Sequence, residues 1–512
     1  MELFLNGRAR SIATVFGAAL LVSACGGGGG EDDDVAATPP SSDPRTPLTV
    51  NKATDDGSEG TLRWAIQRSN ASPGTYRIAL TAPAGGLLIK PSSELPALVG
   101  PALIEGPWKG EGSPTVAIDG ALLYDTNVLD ASGNPTACPG QTAGVGANVR
   151  SLKNPGLSVV DSGSVKMSGF EVRNFCTGVM LLRSKDSVIR YLRFVNNRGA
   201  AGLLVTGDVG DQAGTFVAGS ASNNVIEYND FLNNSDSMDV VRGADNTLIQ
   251  FNKFVMDANG IVPSQAIEFL SSNNNKVYDN VAIGFAEALQ LRGNNHDVAR
   301  NTMRGNSIAL TMSGTGNKVY DNVVQSNRLG LSISGGATTL SRNKIWDQGK
   351  DISLCNAGGI CNTNANWLNA RLGISVRGSS GHTPNDLASA CADGFADCDA
   401  YQNYPELKAS VWQAGGFQIN GSLVSRPNTD FVIEFFASHK PGAVDSFGEG
   451  EVIVGKLDAR TDAAGTLNFS QPTGVTDPLK DGTKTVYFTA TATRVATGQT
   501  SEFSQAIAVN GP

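Results

Sequence analysis

The chain has 512 residues, of which 17% are charged and 60 are glycine, and its formal net charge is −9 at pH 7. An acidic balance without basic clusters or an aromatic–basic strip argues against nucleic acid as a partner. High glycine with few charges points to a turn-rich β protein, and three dispersed histidines, His296, His382 and His439, do not suit a histidine metal cluster.

At the N-terminus, Arg8 and Arg10 precede an apolar run from Ile12 to Val22. The run is too short and wrongly flanked for a spanning helix, so residues 1–24 are expected to be a secretion signal. Val22-Ser23-Ala24-Cys25 resembles the lipobox of bacterial lipoproteins. The resemblance implies cleavage before Cys25, lipidation of Cys25 and membrane attachment through that lipid alone. Gly26 stands where an Asp would retain such a protein at the inner membrane, so the outer membrane is expected, on its periplasmic or cell-surface side. Gly26 to Gly30, the acidic Glu31 to Asp34 and the Pro- and Ser-rich sequence after them make residues 25–46 a flexible tether.

Residues 47–157 read as an N-terminal cap and the first coils of a repeat. Leu62, Ala65 and Ile66 fall on one face of a short amphipathic helix. From residue 158 to 361 one pattern recurs: apolar, two variable residues, Asn, one variable residue, apolar. Asn280, Asn301, Asn322 and Asn343 follow one another at spacings of 21, and Asn229 and Asn252 precede them at 23 and 28. Such a period marks a solenoid. Each unit also carries an alternating stretch, as in Ala288-Leu-Gln-Leu-Arg-Gly293, which reads as a half-buried strand. Two or three short strands leave no room for a helix, so each unit is one coil of a parallel β-helix, about 4.8 Å above the last. Leu289, Leu291, Leu310, Met312, Leu331 and Ile333 would fill its core. The Asn column is read as structural: Asn tolerates left-handed angles at a bend, and stacked copies can hydrogen-bond along the rod. A loop-rich bridge (362–403) leads to alternating strands over residues 404–512, which suggest a small β-sandwich.

These units resemble the parallel β-helix repeat of the pectin-lyase-like superfamily. Leu48-Thr-Val-Asn51 and Gly60-Thr-Leu-Arg-Trp-Ala-Ile66 resemble the head of bacterial surface proteins with a CSLREA-type start. The fold class expected is therefore all-β, a right-handed single-stranded parallel β-helix followed by a C-terminal β-sandwich. In that head the Thr-Leu-Arg segment is a helix closing the end of the β-helix. Ile433-Glu-Phe-Phe-Ala437, Gly448-Glu-Gly450, Thr461-Asp-Ala-Ala-Gly465 and Thr500-Ser-Glu-Phe-Ser504 resemble a C-terminal module that often follows bacterial β-helices. A structural cap for the last coil is the plainer role for it, sugar or protein binding the other.

Six cysteines besides Cys25 favour disulfides in an oxidising compartment. Proximity suggests Cys138 with Cys176, Cys355 with Cys361 and Cys391 with Cys398. For chemistry, aligning the alternating strands on their terminal Gly (Ser271 in one of them) puts Val240, Glu268, Gln290, Thr311 and Ser332 in one outward column. Arg242, Leu270, Arg292, Ser313 and Ser334 form the next. Glu268 between Arg242 and Arg292, with Gln290, Asp236 and Asp239 alongside, could bind a uronate and move a proton. The same groups could equally be an ordinary cross-strand charge ladder. No cofactor is expected, although Asp208, Asp211, Asp236 and Asp239 could together hold Ca2+. His296 reads as a surface turn residue.

The motifs of the superfamily's hydrolases are displaced. Asn428-Thr-Asp430 lies in the sandwich, Asp55-Asp56 before the first coil, and Gly381-His382 in the bridge. The reading that follows is a surface β-helix anchored at the outer membrane that binds polysaccharide or serves as a structural, adhesive module. The alternative is a polysaccharide lyase acting through Glu268, Arg242 and Arg292.

Overall fold

The computed structural model describes residues 43–123, 125–128, 136, 138, 155–208, 216–257, 263–334, 337–352, 371–376, 381–385, 401–413, 415–442 and 447–510. Cys25, Asp211, Cys355, Cys361, Cys391 and Cys398 lie outside them, and Cys138 is bonded to Cys176 with Cα atoms 5.6 Å apart.

The alternating strands stack into a nine-stranded parallel sheet. In chain order its members are β1 (Leu157–Val160), β2 (Val179–Leu182), β3 (Ala201–Thr206), β4 (Asp236–Val241), β5 (Gln265–Leu270), β6 (Glu287–Arg292), β7 (Ile308–Ser313), β8 (Leu329–Ser334) and β9 (Ile374–Ser375). Each pairs with the next in sequence. A nineteen-stranded parallel sheet supplies the other faces of the coil. The chain is a right-handed single-stranded parallel β-helix, as its repeat implied. Its core is a continuous column in which the Phe194, Phe231 and Phe254 rings stack at 4.5 and 4.7 Å. Leu289, Leu291, Leu310, Met312, Leu331 and Ile333 are all buried in it.

The Asn column is structural, but it works differently from the expectation. The left-handed residue of each bend is the one before the Asn: Tyr228, Phe251, Asp279, Arg300, Asp321 and Arg342 have φ between 51° and 57°. The bend turns the Asn side chain into the coil. There each Nδ2 donates to the Oδ1 of the next Asn at 2.9–3.0 Å along 229, 252, 280, 301, 322 and 343. That same Oδ1 also accepts the backbone N–H of the Asn beneath it. The ladder satisfies backbone groups that the corner withdraws from the sheets, which would otherwise be buried without partners.

The open N-terminal end is covered by α1 (Leu62–Ala71), capped by Thr61, with Leu62, Ala65, Ile66 and Ser69 buried. The C-terminal end meets a three-stranded and a four-stranded antiparallel sheet, which pack Phe417, Ile419, Phe431, Ile433, Phe435 and Phe488 between them. Three glutamates of this sandwich reach back to the last coils. Glu434 accepts the Arg342 N–H, Glu449 those of Asp347 and Gln348, and Glu502 those of Val376 and Thr383. These are the acidic residues of three of the four short C-terminal motifs; in the fourth, Asp462 accepts the Ala464 and Thr466 N–H groups of its own turn. The three glutamates terminate the stack by accepting backbone donors that another coil would otherwise take.

A buried acidic cluster as candidate functional site

On the outer face of β4, β5 and β6 the pattern is not strict alternation. Asp236 and Asp239 both point outward on β4, with Met238 between them in the core. On β6 likewise, Ala288, Leu289 and Leu291 are core residues while Glu287 and Gln290 share the outer face. The register places Asp239 beside Glu268 and Glu268 beside Gln290. Thr311 and Ser332 continue that column.

Two residues of the sequence-based alignment are thereby corrected. Asp239, not Val240, lies beside Glu268, and Val240 is in the core; Val241, not Arg242, lies beside Leu270. The cause is a one-residue slip, which turns every side chain to the other face. Alignment on Gly243 assumed that the glycine ends the strand. Instead Arg242 takes the left-handed position (φ 52°) that Ser271 (φ 54°) takes one coil on, and its N–H donates to Leu270 O at 2.8 Å. Arg242 is a buried residue beyond the end of β4, so Glu268 is not flanked by two arginines. Arg292 is exposed and lies beside Leu270.

What the fold assembles is acidic. Carboxylate oxygens of Asp236, Asp239 and Glu268 lie within 4.8 Å of one another, and the three residues are 1%, 6% and 1% exposed. Asp236 also accepts the Gln265 N–H at 3.2 Å. Beside them Glu287 is fully buried, and its Oε1 accepts from Gln290 Nε2 at 2.8 Å. Burial above all, and then the charge of Asp236, push the Glu287 carboxyl above the usual carboxylate range. Apolar groups border the cluster on both sides. Met180, Leu182, Ala201, Leu204 and Val241 form one patch, and Ile308, Leu329 and Leu372 the other. Such walls strengthen any charge interaction between them.

Of the four acids considered for Ca2+, the fold thus joins Asp236 and Asp239 to Glu268. Asp208 is in the turn after β3, where the Thr206 hydroxyl bonds its backbone. Sequence reasoning missed Glu287 because strict alternation places it inside. A charged residue at a nominal core position was the signal. His296 is not a surface residue: it is 1% exposed, inside the coil, with its ring 4.8 Å from that of Phe269. It occupies a second ladder position, accepting at Nδ1 from Asn275 N and donating its own N–H to Asn317 Oδ1.

No family model matches the chain. Among curated proteins it is 31% identical over 479 residues to the 3-dehydroshikimate dehydratase of Acinetobacter baylyi, covering 90% of this chain and 94% of that one. Among solved structures, an alginate lyase from a Paenibacillus species is 15% identical with a TM-score of 0.35, over 57% of this chain and 97% of that one. A polygalacturonase from Erwinia carotovora is 12% identical with a TM-score of 0.37, over 62% of this chain and 98% of that one.

Proposed function

The chain belongs to the family of the Acinetobacter baylyi 3-dehydroshikimate dehydratase, and on that premise we propose that it removes water from 3-dehydroshikimate at the acidic cluster of β4, β5 and β6. The observation that carries this reading is the likeness along nearly the whole chain, which spans every coil of the cluster.

The substrate is a cyclohexene carboxylate with a ketone at C3 and hydroxyls at C4 and C5. The C4 proton is acidic because its loss gives an enolate, and the C5 hydroxyl is placed for β-elimination. Glu287 is suited to the transfer, because a carboxylate raised by burial is a stronger base than one in water. It takes the C4 proton, the C4–C5 double bond forms as the C5–O bond breaks, and the same carboxyl returns the proton to the departing hydroxyl. Water leaves. The dienone then moves a C6 proton to the C3 oxygen and becomes 3,4-dihydroxybenzoate. Gln290 fixes the Glu287 carboxyl through its 2.8 Å hydrogen bond. Arg242 and Arg292, at the C-terminal margin of these strands, provide positive charge for the ring carboxylate.

The test is direct. Purified protein incubated with 3-dehydroshikimate is expected to form 3,4-dihydroxybenzoate, measured by chromatography. Absence of product at saturating substrate would refute the reading. An oligouronide also carries a proton α to a carboxyl and a β-oxygen leaving group, and Arg292, Ser313 and Ser334 continue as a polar column on the outer face. The same incubation with alginate, pectate and chondroitin therefore decides between the acid and a polysaccharide partner.

Location is part of the same proposal. Cys25 is taken as the lipid anchor that holds the enzyme at the outer membrane, on the strength of Val22-Ser-Ala-Cys25. Cells fed a radioactive fatty acid are expected to label the wild type and not Cys25→Ser. Equal labelling of the two would remove the anchor.

A further inference from the structure

Asp236, Asp239 and Glu268 bring their carboxylate oxygens within 4.8 Å of one another at sites almost closed to water. Like charges at that spacing repel, and burial removes the solvent that would screen them. A second observation points into the same space. Glu287 is fully buried, and its Oε2 has no partner within hydrogen-bond distance among the described residues. By the register of β5 and β6 it stands beside Gln265, whose own N–H is bound by Asp236. A buried acceptor left so has lost its water without a replacement donor, which is unfavourable. Water coordinated to a cation would donate to it.

We infer that Asp236, Asp239 and Glu268 bind one hard divalent cation of the Ca2+, Mn2+ and Mg2+ class, with Glu287 accepting from a coordinated water. A donor set made only of carboxylate oxygen selects such ions over zinc or copper. Two oxygens on opposite sides of Ca2+ lie about 4.6–5.2 Å apart, given bonds of roughly 2.3–2.6 Å. The observed spread accommodates that ion as it stands, and a slight closure suits the smaller ones. The cation also resolves a mismatch of charge, since an acidic floor would repel a carboxylate substrate. This last point rests on the dehydratase reading; the binding site does not.

The probe is Mn2+, titrated into the chelator-treated full chain and followed by the paramagnetic resonance of the free ion. One bound Mn2+ per chain is expected, displaced by Ca2+ or Mg2+. Glu268→Gln and the double variant Asp236→Asn/Glu268→Gln are expected to weaken binding more than about tenfold. Both should fold, because each removes buried like charge, and circular dichroism checks this. Mn2+ should raise the melting temperature of the wild type and leave the double variant unmoved. Failure to bind Mn2+, or binding by the folded double variant as tight as by the wild type, overturns the site. Bound Mn2+ without turnover of 3-dehydroshikimate upholds the site and counts only against the function. Turnover by protein that binds no Mn2+ does the reverse.

Discussion

Glu287→Gln is expected to slow dehydration of 3-dehydroshikimate by about 10²–10⁴-fold, the range a positioned proton-transfer group supplies. The amide keeps the shape of the side chain and can still meet Gln290, so packing is preserved and KM should move only a few-fold. It cannot accept the C4 proton. The loss therefore belongs in kcat, which steady-state kinetics separates from binding. A variant with unchanged kcat would remove Glu287 from the mechanism. Arg292→Ala makes a useful contrast. Arg292 is exposed and is assigned only to holding the ring carboxylate, so its effect should appear mainly in KM.

The second large effect is on stability in acid. Burial lowers the pKa of His296 from its ordinary 6.5 to about 4, so the folded protein holds the neutral ring. Its Nδ1 accepts the Asn275 N–H, which puts the ring proton on Nε2. A proton added at Nδ1 would confront that donor. The unfolded chain takes up the proton near pH 6.5 and the folded one only near 4. The native state thus has the full benefit of the neutral ring above pH 6.5 and loses it as pH falls toward 4. Two to three pKa units correspond to about 3 kcal/mol. His296→Asn replaces the ring by the residue that Asn275 and Asn317 already place on either side of it, and it removes the titration. Denaturant unfolding at pH 7 and pH 4.5 should therefore show a loss about 2 kcal/mol larger in the wild type than in His296→Asn, the remainder appearing only below pH 4. Equal losses in the two proteins would mean that the acid sensitivity lies elsewhere.

Periodicity made the fold legible and left the site half-read, for one physical reason. Asn280 to Asn343 recur at 21 because every coil needs the same amide at the same corner, so the chemistry of the repeat is written as spacing. The cysteine pair Cys138 and Cys176 was likewise within reach of proximity. The acidic cluster depends instead on departures from the repeat. On β4 and β6 the outer face takes residues three apart, so Asp236 with Asp239, and Glu287 with Gln290, face the same way. Strict alternation cannot predict that. Arg242 was misplaced because a non-glycine residue adopts a left-handed angle where glycine was assumed to mark the end. His296 was misread because a polar residue in a polar turn gives no sign that the turn faces inward.

The asparagine ladder also means that this molecule can change length only in quanta. From Asn280 onward each rung donates the same amide hydrogen bond to the next and accepts the same bond from the one before. A duplicated or deleted block of 21 residues would leave both new neighbours with the partners they already have. The rod would grow or shrink by one coil, about 4.8 Å, while the sandwich still met an equivalent final rung. The coils bearing Asp236, Asp239 and Glu268 have no such freedom: Asn229, Asn252 and Asn280 are 23 and 28 apart. The chain thus joins an interchangeable stem to a stretch whose irregular spacing is fixed by the groups it carries.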